Sequence, residues 1–213
     1  MANRIITPAT PNLPLGTVEY ERRYQDQFTN ILRLYFNQLK NALSQLFGDR
    51  GARYLDFPYG AVQRTTDKTF TANTATQITF NQNDYMNGCV NDGTDGIVVE
   101  QAGIYNYQFS VQFANTDVGV QTAYVWLRRN GVDIPGTGSK FDVPSKHAGS
   151  DGYLIAACNF YIDLKVGDSV SMYAAVANTS VYMEAYAAQT SPFPMPAIPS
   201  VVATLTFVSA LPT

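Results

Sequence analysis

The hydrophobic pattern of this chain changes once, from the period of a helix to the period of β-strands. Between residues 17 and 47 apolar side chains recur at steps of three and four, and no Gly or Pro interrupts them. Thr17 is a suitable N-cap and Gly48 a suitable stop signal, so the pattern predicts one long helix. After Gly51 the helical period is lost and short alternating runs follow. We therefore expect one helix followed by an all-β domain.

The apolar stripe of the predicted helix is wide and bulky. Roughly 30 residues give a rod of about 45 Å, a length that one small domain covers poorly. We therefore expect the stripe to pack in a short parallel bundle with copies of the chain, or on another protein. Packing of the helix along its own domain is the alternative. The residues expected at the bundle interface are Phe28, Ile31, Tyr35, Leu39, Ala42 and Leu46.

Beyond the helix, runs with strand character are separated by turn residues. Alternation is clearest at 105–113, where aromatic and apolar residues exchange with polar ones, and it predicts that the apolar set fills a core. Pairs such as Asn130-Gly131 and Gly167-Asp168 supply the turns. Many short strands without intervening helices indicate a sandwich or a barrel. The predicted strands lie at 59–64, 76–80, 96–99, 104–113, 122–129, 152–164, 169–176, 181–187 and 201–208.

The first 16 residues carry a proline at every third position from Pro8 to Pro14, which suits an extended, polyproline-like arm. Such an arm cannot fold alone, so its apolar side chains favour a partner surface. A frayed terminus is the alternative. The residues expected to anchor the arm are Ile5, Ile6, Leu13 and Leu15.

Composition excludes several function classes. Charged residues make up 15% of the chain, below the roughly 25% of ordinary soluble proteins. Burial against other chains accounts for this, as would a β surface rich in Thr, Asn and Gln. A net charge of -3 gives no basic field for nucleic acid or anionic lipid. No stretch approaches the roughly 18 apolar residues of a membrane span, and no apolar block follows Arg4 as in a secretory signal. We expect a soluble product of a cytoplasm.

Four segments resemble the tumour-necrosis-factor-like and complement-globular-head superfamily. Residues 99–110 read VEQAGIYNYQFS, similar to a strand signature of that family, and 125–131 read VWLRRNG, similar to its next strand and turn. Residues 164–172, LKVGDSVSM, resemble its Gly-Asp signature, and 201–208, VVATLTFV, its last strand. The segments follow the family's order and cover roughly residues 57 to 210.

This resemblance implies a mainly β, ten-stranded jelly-roll sandwich that packs as a trimer about a three-fold axis. It also implies a protein that binds partners and is not an enzyme. Aromatic residues of the inner sheet would then pack along the axis, which would use Tyr173 and Phe207. Packing of these two rings within one subunit is the alternative.

Residues 1–50 lie outside that resemblance and resemble the attachment segments of phage virion fibres and decorations. The chain is therefore expected to be a virion structural protein of a tailed phage, located at the virion surface, on head or tail, after synthesis in the host cytoplasm. Its expected parts are an anchoring arm at 1–16, a helical stalk at 17–50 and a knob at 51–213. Its expected partners are copies of itself, another virion protein (capsid, portal, tail or fibre) bound through 1–50, and a host surface glycan or protein at the knob.

Few residues suggest chemistry. Asp84, Asp92 and Asp95 are weak calcium candidates, but their spacing is not that of an EF-hand, and Asx turns explain them as well. The single histidine, His147, lies in a turn-rich stretch without a nucleophile elbow. No catalytic residue and no cofactor is predicted. The two cysteines, far apart in sequence, are expected to be reduced thiols, with one bridge between them as the alternative.

Two other functions stay open. A secreted or surface-displayed module that binds carbohydrate or protein would use the same jelly roll with a loop site, around residues 142–151. A carbohydrate-active enzyme on a jelly roll would need two carboxylates facing each other across a cleft.

Overall fold

The computed structural model describes residues 8–16, 18–47, 57–91 and 96–211, without the side chains of 45–47. The chain divides into two compact units, Met1–Asp56 and Phe57–Thr213, and each is described by itself. Several residues singled out in the sequence lie outside the described residues or, for Leu46, have no described side chain. They are Ile5, Ile6, Thr17, Leu46, Asp92 and Asp95.

Within its described residues, the first unit contains one α-helix, α1 (Arg22–Phe47). Residues 18–21 are not helical, so the helix begins at Arg22 and not directly after Thr17 as the sequence predicted. The apolar stripe starts only at Tyr24, so packing of the stripe does not require helix before that point. The N–H of Gln25 donates to the Glu21 carbonyl at 3.1 Å. The Tyr24 hydroxyl donates to the Pro14 carbonyl at 3.3 Å, which fastens the proline-rich segment to the first turn. Among the described residues, no helix has the length and apolar character that a bilayer crossing requires.

The second unit contains thirteen strands within its described residues, against the ten expected from the family resemblance. Several have only two or three residues. The strands are β1 (Tyr59–Arg64), β2 (Thr76–Ile78), β3 (Gln82–Asn87), β4 (Cys89–Asn91), β5 (Ile97–Val99), β6 (Gly103–Asn115), β7 (Gln121–Arg129), β8 (Val132–Asp133), β9 (Ser139–Val143), β10 (Gly152–Leu164), β11 (Ser169–Val176), β12 (Val181–Met183) and β13 (Val201–Ser209).

These strands form two antiparallel sheets. The first has the order β10-β6-β13-β1-β3, with β12 also paired to β6. The second has the order β4-β5-β11-β7-β8, with β2 beside β11 and β9 beside β7. The first and last strands pair with each other, and the chain passes between the sheets several times. This mainly β arrangement is consistent with a jelly-roll sandwich.

The hydrophobic core lies between the two sheets. From the second sheet, Leu127 of β7 and Met172 of β11 face the first and are fully buried. Because side chains alternate along a strand, the odd-numbered residues of β6 all point into this core, which confirms the prediction for 105–113. These buried residues are Tyr105, Tyr107, Phe109, Val111 and Phe113.

Two predicted turns are confirmed in detail. Asn130 and Gly131 join β7 to β8 with φ of 51° and 80°, the left-handed values that a two-residue hairpin turn of this kind requires. Asp168 lies between β10 and β11, where its carboxylate accepts the Lys165 N–H at 2.8 Å and the Asn130 side-chain amide at 2.7 Å. Burial opposes ionisation of Asp168, yet these hydrogen bonds hold the pKa of its carboxyl below the usual range. The two turns are therefore fixed to each other.

Candidate functional site

Of the three candidate calcium ligands, Asp84 lies within the described residues, and its carboxylate is hydrogen-bonded to other side chains. Asp84 lies in β3, where its carboxylate accepts hydrogen bonds from the side-chain amides of Gln63 and Gln82, the latter at 2.9 Å. Across the described residues, no three His, Cys, Asp or Glu side chains are grouped to hold a metal ion. Since Asp92 and Asp95 lie outside those residues, the calcium hypothesis itself stays a prediction.

His147 lies in a tight turn on the surface. Its N–H donates to the Ser150 carbonyl and the Ser150 N–H donates back, both at 2.9 Å. The side chain of His147 is exposed. The two backbone hydrogen bonds are those of a hairpin tip, and they do not pair the His147 ring with a nucleophile.

The two cysteines are free thiols. Cys89 is buried, whereas Cys158 is partly exposed on β10. Burial, with a smaller contribution from Glu100, raises the pKa of the Cys89 thiol to about 11. Cys158 lies 3.5 Å from the Ser139 hydroxyl, sulfur to oxygen.

The apolar stripe of α1 remains open along its described length. None of its predicted interface residues with a described side chain is buried, and all are in the intermediate range of exposure: Phe28, Ile31, Tyr35, Leu39 and Ala42. Leu34 and Phe36, beside the stripe, are exposed by 53% and 59%. A helix with this much apolar surface in water is typical of one that packs against a partner.

In the arm, Leu13 and Leu15 are both exposed. Their predicted role in anchoring is therefore not fulfilled by contacts within the described chain. It stays a prediction about a partner.

The first sheet has an outward side without charge on its three central strands. The register places Gln108 of β6 beside Thr204 of β13, and Thr204 beside Ala61 of β1. We call this surface the uncharged face. Its members on β6, β13 and β1 are Tyr59, Ala61, Gln63, Ile104, Asn106, Gln108, Ser110, Gln112, Val202, Thr204 and Thr206.

The flanking strands extend the uncharged face with large side chains. Tyr153, Ile155 and Tyr161 point outward from β10, and Ile155 and Tyr161 are exposed by 63% and 67%. Tyr85 on β3 is exposed by 71%. Two carboxylates border the face: Asp163 at the end of β10 is paired with Arg129 at 2.9 Å, and Asp84 on β3 accepts hydrogen bonds from the side-chain amides of Gln63 and Gln82. Aromatic residues with few charges are typical of the centre of a protein–protein interface.

Neither of the two β-domain residues predicted at the trimer axis, Tyr173 and Phe207, belongs to the uncharged face. Tyr173 belongs to β11 in the second sheet. Phe207 is on β13, but its ring packs edge-on against Tyr105 at 5.6 Å and stacks on Phe57 at 6.1 Å, centroid to centroid. Phe207 thus contributes to packing within one chain, which was the alternative.

The outward side of the second sheet differs in character because it carries charged and aromatic groups together. The Arg128 guanidinium carbon lies 4.0 Å from the ring centroid of Tyr173, a cation–π contact. Asp133 accepts hydrogen bonds from Arg128 Nε at 2.6 Å and from Trp126 Nε1 at 2.7 Å. These bonds, that from Arg128 first, hold the pKa of the Asp133 carboxyl below its usual range. Sequence analysis missed this cluster, whose members come from three strands.

Comparisons with known proteins add a structural similarity only. No protein-family model matches the chain, and no curated protein sequence matches it. Among solved structures, murine APRIL in a crystal structure at pH 5.0 is similar over 71% of this chain and 99% of that chain, at 15% identity and a TM-score of 0.47.

Proposed function

We propose that the chain is a structural protein of a tailed-phage virion, a homotrimeric fibre or decoration with a helical stalk and a TNF-like jelly-roll knob. The observation that carries self-association is the uncharged face. Its three central strands present eleven outward side chains without one charge, although 31 of the 213 residues are Lys, Arg, Asp or Glu. A monomer gains nothing from this segregation, whereas an interface avoids the cost of desolvating charges.

The spacing of the α1 stripe supports the same assembly. Apolar residues follow alternating steps of four and three, which is the heptad pattern of a left-handed coiled coil. Parallel helices would bury the open stripe along a common axis. The residues with this spacing are Phe28, Leu32, Tyr35, Leu39, Ala42 and Leu46.

The number three and the virion location rest on the sequence resemblances. Trimers of the resembled family pack about a three-fold axis, and the heterologous interfaces of such a trimer close into a ring without leaving a free edge. The division into a helical unit and a β unit fits a stalk and a knob. The arm and stalk would hold the chain on another virion protein.

A substitution at the centre of the uncharged face tests the assembly. Gln108→Arg places one cation per chain near the axis, so the copies repel one another and the native mass is expected to fall towards that of one chain. Val132→Arg, at an exposed position of β8 in the second sheet, adds the same charge and should leave the mass unchanged. Equal masses for the two variants would refute an interface on this face.

A second pair of variants tests the stalk. Leu39→Glu introduces a charge into the stripe, whereas Gln38→Glu introduces it on the exposed side of the same turn. We expect only Leu39→Glu to loosen the assembly, measured as a faster exchange of subunits within a trimer of unchanged mass.

Particle composition tests the virion assignment. The chain is expected among the proteins of purified phage particles identified by mass spectrometry. A chain lacking residues 1–50 should remain a folded, soluble β trimer but be absent from those particles. Incorporation of the truncated chain would show that the anchor lies elsewhere.

A further inference from the structure

A groove of about 480 Å³ opens on the outward side of the second sheet, away from the uncharged face. Its principal side chains are Tyr124 and Trp126 on β7, Ala175 on β11 and Lys140 on β9, with Gly138 at its rim. The volume lies within the range of about 300–1,000 Å³ that small-molecule sites occupy.

Strand register explains why this groove exists. Tyr173 lies beside Trp126 across the β11–β7 pair, and Ala175 lies beside Tyr124 two residues further along. Lys140 lies opposite Tyr124 on the other edge, in β9. A methyl group thus occupies a position between three large side chains, and this leaves a hollow with aromatic walls.

The aromatic walls are held in place by neighbouring groups. Trp126 is fixed through its Nε1–H to Asp133 at 2.7 Å, and its ring lies 6.0 Å from that of Tyr173 with an angle of 31° between the planes. Arg128 lies over Tyr173 and closes the cluster on the side away from the groove residue Tyr124. A ligand would therefore meet a preorganised surface, which lowers the entropic cost of binding.

The charges around the groove balance one another. Lys140 Nζ lies 3.5 Å from Asp142 Oδ1, and the same carboxylate accepts the Thr122 hydroxyl at 2.9 Å. Arg128 is paired with Asp133 at 2.6 Å. Both cations are neutralised locally, so the groove offers hydrogen-bonding groups without a net field for an anion or a cation.

We infer that this groove binds a neutral saccharide. A pyranose ring has a C–H face that is attracted by the electron-rich face of an aromatic ring, and an edge of hydroxyls that match ammonium and carboxylate groups. A nucleotide or an acidic sugar would need an unpaired cation, which the described residues around the groove do not offer. Because every wall comes from one chain, the inference goes beyond the proposed assembly and does not depend on it.

The single tryptophan of the chain provides the test. Trp126 is the one Trp among the 213 residues, so its fluorescence reports on this groove alone. The intact protein is titrated with neutral disaccharides of glucose, galactose and mannose, and calorimetry is run on the same samples. We expect a saturable change in emission, with a matching heat of binding, for at least one of them.

A matched pair of variants localises the binding. Ala175→Leu fills the hollow and should weaken binding by about tenfold or more, which corresponds to about 1.4 kcal/mol. Ala177→Leu makes the same change at an exposed position two residues further on and should bind as the wild type does. No response to any disaccharide by either method, or equal affinities for the two variants, would overturn the inference. The native mass of both variants, measured alongside, separates this result from the proposed assembly.

Discussion

Tyr105 and Tyr107 occupy neighbouring inward positions of β6 and are both fully buried, yet their hydroxyls differ. The Tyr105 hydroxyl donates to the Gln101 carbonyl at 2.8 Å, whereas that of Tyr107 has no hydrogen-bond partner among the described residues. Burial raises the pKa of Tyr105 to about 12 and raises that of Tyr107 as well. Both rings are therefore neutral in the folded protein, and one neutral hydroxyl is unsatisfied.

Removal of the Tyr105 hydroxyl should destabilise the protein, whereas removal of the Tyr107 hydroxyl should not. Tyr105→Phe loses a hydrogen bond and leaves the Gln101 carbonyl without that donor, so the free energy of unfolding should fall by about 1 kcal/mol. Tyr107→Phe removes an unpaired polar group and should leave it unchanged or raise it by about 1 kcal/mol. Urea denaturation at one protein concentration measures both. A larger loss for Tyr107→Phe would show that its hydroxyl has a partner.

Gly152, the first residue of β10, is expected to tolerate no side chain. A Cβ there would lie 2.6 Å from the Pro144 carbonyl carbon and 2.9 Å from the Ser145 carbonyl oxygen, both backbone atoms. Gly152→Ala should therefore destabilise the β unit by about 1–3 kcal/mol, the usual cost of overpacking. Gly138→Ala is the control, because nothing lies within 4 Å of a Cβ at that position. Similar thermal unfolding of the two variants would contradict the close approach at Gly152.

Acid should release Trp126 from Asp133. The folded-state pKa of Asp133 lies below its unfolded value, about 3.9, so its stabilising effect is present above that value and is lost as the pH falls through the folded one. Trp126 emission should stay constant from pH 7 to about 4 and change only below that. Asp142→Asn should keep this transition and Asp133→Asn should remove it, with circular dichroism checking that the fold persists. A midpoint above the usual Asp range would contradict the described hydrogen bonds.

The two thiols should differ in reactivity. Cys89 is buried and its pKa is raised to about 11, so it is protonated and shielded at pH 8, whereas Cys158 is partly exposed. A thiol reagent should modify one cysteine per native chain quickly and two after denaturation, and Cys158→Ser should remove the fast reaction. Two unreactive cysteines in the denatured, unreduced protein would indicate a disulfide.

Much of the β fold was accessible from local sequence pattern. The predicted bounds of β1, β10 and β11 agree with the structure, since alternation and turn residues define all three. Four strands were missed. The sequence of β3, QNDYMN, has no apolar alternation, and β4, β8 and β9 are short or lie at an edge, so their partners and not their own residues specify them.

The candidate surfaces were less accessible because they depend on register. Tyr173 and Trp126 are 47 positions apart, and only the pairing of β11 with β7 brings their rings together. The uncharged face likewise combines residues from β1, β6 and β13, which span nearly the whole β unit. Sequence alternation shows which side chains share a face of one strand. It does not show which strands lie side by side.

The native mass of the intact chain, measured by light scattering over a range of concentrations, tests the central claim most directly. The account predicts a mass of three times 23.4 kDa, held by the stripe of α1 and the uncharged face. A mass of one chain at every concentration would contradict it, since both surfaces would then remain exposed to water.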